Sequence, residues 1–163
     1  LFIFDETAME KLAGKVADFT IAGMIFYLEG DLGAGKTTFV RGFLRQLGCL
    51  GAIKSPTFTL VEPYQLEVAG KAQNIFHFDL YRLTDPEELE YMGIQDYLDG
   101  EAISLIEWPQ QGRGILAAPD VVIMINYRGK SRELEIKPVS EIGKRFFSHL
   151  QPNLKEYSDS TQA

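Results

Sequence analysis

The chain has 163 residues, 45% hydrophobic and 24% charged, enough for one domain with a real core. A formal net charge of −7 and a pI of about 4.9 disfavour direct, sequence-independent nucleic-acid binding, which runs on Lys and Arg neutralising phosphates. Cys49 is the single cysteine and has no partner for an internal disulfide; no stretch approaches a membrane span and no signal peptide is visible, so a cytoplasmic, non-membrane protein is expected.

Thr7-Ala8-Met9-Glu10 reads as a capping box, with Leu12, Val16 and Phe19 on one face of a first helix. An apolar strand, Met24-Ile25-Phe26-Tyr27-Leu28, then runs into Gly30-Asp31-Leu32-Gly33-Ala34-Gly35-Lys36-Thr37. This stretch fits G-x-x-x-x-G-K-[ST] at every fixed position, and Val40, Phe43, Leu44 and Leu47 open a helix behind it. Strand, loop and helix together form the context in which the motif binds a nucleoside triphosphate. Backbone N–H groups turn inward around the phosphates, and the helix N-terminus adds partial positive charge. Lys36 can reach the β/γ-phosphates and Thr37 can hold Mg²⁺.

Gly48 and Gly51 punctuate a turn, followed by Lys54-Ser55-Pro56-Thr57 and a short strand, Phe58-Thr59-Leu60-Val61. Ser55 and Thr57 read either as a segment that senses the γ-phosphate or as a turn whose hydroxyls satisfy the backbone. Glu67 to Asn74 is polar and reads as a hairpin or loop before the strand Ile75 to Tyr81. Asp85 at N-cap, Pro86 at N1 and Glu88 at N3 start another helix, with Leu89, Met92, Tyr97 and Leu98 on its apolar side. Ala102 to Ile106 has the nearly all-apolar character of a buried parallel strand. Strands at Val121–Tyr127 and Leu134–Ile136 flank a turn at Arg128-Gly129-Lys130, and Ser140 to Leu150 forms a last helix. The expected fold is α/β, a three-layer phosphate-loop NTPase-like arrangement with a largely parallel central sheet and antiparallel strands near the C-terminus. Residues 1–150 are expected to form its single domain and residues 151–163 a polar, frayed tail.

Phosphoryl transfer leaves the protein to position groups, hold a metal and orient the nucleophile. Asp79 and Glu107 each follow an apolar strand, where one can stand beside Mg²⁺ while the other handles the attacking water; their roles stay open at this level. Trp108, the only tryptophan, is as readily packing as site, and His77 reads as a core histidine with one hydrogen bond. There is no Cys/His cluster with zinc spacing.

Five blocks in order resemble the TsaE family, the bacterial ATPases of tRNA threonylcarbamoyladenosine biosynthesis. They are Gly30 to Thr38, Ser55 to Val61, His77 to Leu83, Pro86-Glu87-Glu88-Leu89 with Met92-Gly93, and Leu105-Ile106-Glu107-Trp108-Pro109. The resemblance implies a slow, Mg²⁺-dependent ATPase that works with TsaB and TsaD. It would support the threonylcarbamoyl transfer to tRNA adenosine next to the anticodon without itself modifying RNA. It puts Gly33, Ala34, Gly35, Lys36, Thr37 and Thr38 on the phosphates of ATP or ADP, with Thr37 and Glu107 at Mg²⁺. It makes Lys36, Asp79 and Glu107 the catalytic candidates and Ser55 to Thr57 a switch-like segment. It also raises Trp108 as a site residue and places Glu6 and Arg132 at the nucleotide.

Other functions use the same loop. A small-molecule kinase needs an acceptor pocket and usually an Arg-bearing lid, and no Arg-rich segment is present. A nucleotide-gated interaction module without turnover needs no water-orienting acid, whereas two candidate acids are present. A GTPase is disfavoured because no Asn-Lys-x-Asp segment occurs.

Overall fold

The apolar run that ends in the glycine-rich loop forms the middle strand of the fold. In the computed structural model, which describes residues 1–158, seven strands form one sheet in the order β1-β7-β6-β2-β5-β4-β3. They are β1 (Phe2–Ile3), β2 (Ile25–Glu29), β3 (Val61–Val68), β4 (Lys71–Asp79), β5 (Ile103–Glu107), β6 (Val121–Arg128) and β7 (Ser131–Pro138). β6, β2, β5 and β4 run parallel, while β3, β7 and β1 join antiparallel at the two sides. The expected α/β sheet with antiparallel C-terminal strands is therefore present.

Strand period decides which residues face which helices. Phe26 and Leu28 point to one face, where they pack with α1 (Glu6–Phe19), α2 (Lys36–Gln46) and α5 (Glu141–Leu150). Ile25 and Tyr27 point to the other, with Leu89 of α3 (Glu87–Tyr91) and Ile94 of α4 (Ile94–Tyr97). Phe26 is fully buried between Phe43 and Phe146, edge to face at 5.9 and 5.7 Å. Burying such a ring contributes about 1.5–3 kcal/mol, and the aromatic geometry adds to it. β5 is buried at every residue because β2 and β4 flank it and helices cover both faces, which accounts for its apolar sequence.

α1 and α2 pack closely because Gly42 has no side chain. A Cβ there would lie 2.5 Å from Glu10 Cα, inside any real contact. Beside this approach Arg41 Nε donates to Glu10 Oε1 at 2.6 Å, tying the two helices at their rim.

Local details differ from the sequence reading. Helix α1 is capped by Asp5, which accepts from Ala8 N–H at 2.7 Å, and not by Thr7. Phe58-Thr59-Leu60 is a turn, and the strand begins only at Val61. Leu60 is left-handed (φ 64°) and its carbonyl accepts from Asp79 N–H, so this turn closes onto the end of β4. Glu67 to Asn74 is a hairpin, with the paired ends of β3 and β4 joined at Ala69-Gly70. Asp85 accepts from Glu87 N–H at 2.9 Å, but α3 starts one residue later than expected, with Pro86 at its N-cap, breaks after Met92 and resumes as α4. The frayed tail is corrected in part: Gln151–Tyr157 forms a 3-10 helix that buries Leu154 and Tyr157, while residues 159–163 lie outside the described residues. Among the described residues no helix is long and apolar enough to cross a membrane.

Candidate functional site

Parallel strands bring their C-terminal ends to one border of the sheet, where ligands of open α/β folds bind. Here β2 delivers the glycine-rich loop, β4 delivers Asp79 and β5 delivers Glu107. The loop must pass close under the sheet: a Cβ on Gly30 (φ 144°) would meet the Ile125 carbonyl oxygen at 2.3 Å. Gly35 then caps α2 in a left-handed conformation, and the first-turn N–H groups beyond it have no intrahelical acceptors.

Lys36 lies buried at the start of α2. Its Nζ donates to the carbonyls of Gly30 at 2.6 Å and Asp31 at 2.9 Å. The Trp108 ring covers the ammonium, with its centroid 4.1 Å away. Burial lowers the Lys36 pKa below the ordinary lysine value, while the carboxylates of Glu107, Asp79 and Asp31 oppose that shift. Trp108 reaches this position through a left-handed backbone (φ 57°), unusual for a bulky residue and common where function over-determines the chain. Tyr81 packs beside the indole at 4.9 Å between ring centroids.

The two acids face different partners. Glu107 Oε1 accepts from Thr37 Oγ1 at 3.0 Å, and His77 Nε2 lies 2.8 Å from the same oxygen. Asp79 Oδ2 accepts from Ser55 Oγ at 2.5 Å, and its Oδ1 accepts from Tyr81 N–H at 3.1 Å. Ser55 and Thr57 hydroxyls lie 3.2 Å apart, so the connection after α2 is tied to the end of β4.

A cleft of about 380 Å³ opens over these groups. It gathers the expected Gly33, Gly35, Lys36, Thr37, Thr38, Ser55, Thr57, Asp79, Glu107 and Trp108. Glu6, Ala34 and Arg132 are not in it. They line a second cavity of about 170 Å³ on the other side of the loop, where Gly33, Gly35 and Thr38 also appear. Arg132 Nε donates to the Ala34 carbonyl at 3.1 Å, and Glu6 pairs with Arg41 at 3.3 Å.

Sequence reading missed several participants. Leu32, Tyr81 and Arg82 line the larger cleft, with the Arg82 guanidinium stacked 4.5 Å over the exposed Phe58 ring. Tyr127 OH donates to the Leu32 carbonyl at 3.0 Å, and the Arg132 guanidinium sits 4.1 Å over its ring, so the β6–β7 hairpin braces the loop. The one available signal was that Tyr81 and Arg82 lie two and three residues beyond the strand-end acid Asp79. Nothing local marks Tyr127, and reading His77 as a core histidine with one hydrogen bond does not name its partner, Glu107.

The cleft offers a cation, backbone donors and only hard oxygen ligands, Thr37 hydroxyl and carboxylates, as a phosphate chain with Mg²⁺ requires. Among the described residues no three His, Cys, Asp or Glu side chains form a group that could hold a metal ion.

Residues 3–135 match the family model described as Threonylcarbamoyl adenosine biosynthesis protein TsaE. The chain is similar to the tRNA threonylcarbamoyladenosine biosynthesis protein TsaE of Haemophilus influenzae, 47% identical over 90% of this chain and 94% of that protein. The protein of that name from Nostoc is 34% identical over 85% of each chain. Among solved structures, the crystal structure of Bacillus subtilis YdiB superposes with a TM-score of 0.79 at 27% identity, covering 94% of this chain and 93% of that one.

Proposed function

The chain belongs to the TsaE family, and with it to tRNA threonylcarbamoyladenosine biosynthesis, and we propose that it serves there as a slow, Mg²⁺-dependent ATPase driven by partner proteins. The observation that carries this reading is the Thr37–Glu107 hydrogen bond at 3.0 Å beside buried Lys36, with Asp79 alongside.

Gly33 to Thr38 bind the phosphates through their N–H groups, and Lys36 supplies the positive charge. Release of its ammonium from the Gly30 and Asp31 carbonyls would present it to a phosphate oxygen. Thr37 and Glu107 hold Mg²⁺, which when bound neutralises charge on the phosphate oxygens. Asp79 orients the attacking water, and Ser55 couples that carboxylate to the Ser55–Thr57 segment. Trp108 and Tyr81 wall the cleft and limit water around the reacting phosphate. Glu6 and Arg132, across the loop, contact the nucleoside side of the ligand.

The acidic surface suits protein partners better than tRNA. TsaB and TsaD are the proposed partners, and hydrolysis supports turnover of that assembly. The test is ATP hydrolysis with and without the TsaB–TsaD pair. A rise in rate with co-elution supports the reading; a flat rate and separate elution remove the partner-driven ATPase.

A further inference from the structure

We propose that His77 is a positioning residue that fixes the Glu107 carboxylate for Mg²⁺, an inference that rests on the metal role of Glu107 given above. In the register of β4 and β5, His77 stands opposite Leu105 and Asp79 opposite Glu107. His77 and Glu107 are thus diagonal neighbours on one sheet face, within reach of long side chains. The imidazole is fully buried, and its Nε2 lies 2.8 Å from Glu107 Oε1.

The direction of that bond follows from the donors available. An ionised carboxylate only accepts, so the imidazole donates from Nε2. Nδ1 then has no hydrogen-bond partner among the described residues. Leaving a buried polar atom unpartnered is costly, and the bond to Glu107 is the only one set against that cost. A histidine present only for packing gains nothing from this arrangement that an apolar side chain would not give.

The two Glu107 oxygens are held unequally. Oε1 receives both His77 and Thr37, whereas Oε2 receives only the longer Thr37 contact at 3.3 Å. With the Thr37 hydroxyl turned to a metal, His77 is the remaining side chain on Glu107, and Oε2 is the oxygen free to ligate. This is the outer-shell support that ordinarily orients a ligating carboxylate and tunes metal affinity.

The experiment compares wild type with His77→Gln, His77→Asn and His77→Leu in calorimetric ADP titrations over a Mg²⁺ series. The Gln amide can reach where Nε2 stood, the Asn amide is too short, and Leu fills the site without a donor or an orphan nitrogen. Metal-free ADP affinity should stay within about twofold throughout, while Asn and Leu require ~10-fold or more extra Mg²⁺ for half the metal effect. Gln should return to within about threefold of wild type. Should Asn fail to fold, Leu carries the same expectation. Wild-type Mg²⁺ dependence in Asn or Leu, or an equal loss of metal-free affinity, overturns the positioning role alone. No Mg²⁺ effect in wild type overturns the metal role of Glu107, and this inference with it.

Discussion

Asp79 and Glu107 are register partners at the ends of adjacent parallel strands, yet their carboxylates are committed to different groups. Glu107 is bonded to the phosphate-loop helix through Thr37, and Asp79 to the following connection through Ser55. The difference predicts a split in phenotype. Glu107→Gln should weaken the Mg²⁺-dependent part of nucleotide binding. Asp79→Asn should leave binding near wild type and slow turnover by about 10²–10⁴-fold, the range typical of a positioned side chain that acts on the nucleophile. Calorimetry with ADP and single-turnover hydrolysis separate the two; identical behaviour in both assays would contradict the division of roles.

Trp108 is the only tryptophan and lies over the Lys36 ammonium, which makes it a built-in reporter. Nucleotide binding should draw Lys36 away from the ring and change the intrinsic fluorescence saturably. In Lys36→Ala the ring has no cation to lose, so the change should be much reduced. An emission spectrum indifferent to saturating ADP in the wild type would refute this coupling.

Tyr27 offers a pH prediction away from the cleft. Its hydroxyl donates to the Ala117 carbonyl at 2.6 Å, and burial, with the nearby charge of Glu29, raises its pKa from 10.0 to about 12. Between those values the unfolded chain has released the phenolic proton and the folded chain keeps it. The folded state therefore binds more protons, and stability falls as pH rises from 10 to 12. Below pH 10 this group contributes no slope. Tyr27→Phe should cost about 0.5–1.5 kcal/mol at neutral pH through loss of the hydrogen bond, and flatten the alkaline decline. Thermal melts from pH 8 to 12 measure both effects, and an equally steep decline in the variant would contradict the assignment.

How much of this was legible in the sequence follows from which signals are local. The phosphate loop, its strand and its helix show as motif plus periodicity within one contiguous stretch. Asp79 and Glu107 stand out because each ends an apolar run, and the nearly all-apolar run Ala102 to Ile106 announces the burial of β5. Partners distant in sequence do not show: His77 meets Glu107 thirty residues away, and Tyr127 meets Leu32 ninety-five away. Phe58-Thr59-Leu60 has strand-forming residues, but its Leu60 carbonyl is taken by Asp79 N–H and the segment turns to close the site. Similarly, the capping-box pattern points to Thr7, and only the geometry shows that Asp5 caps α1. The likeness to a known family supplied Glu6 and Arg132, which no spacing rule connects to the loop; they line its far side.

The claim on which the rest depends is that Lys36 and its loop hold the phosphates of ATP, and a calorimetric titration of wild type and Lys36→Ala with ADP and Mg²⁺ tests it most directly. Wild type should bind saturably at one site. Lys36→Ala should melt cooperatively and bind ~10- to 100-fold more weakly, the loss of a charge-assisted hydrogen bond of about 1.5–3 kcal/mol. Superimposable binding curves for two folded proteins would contradict the account.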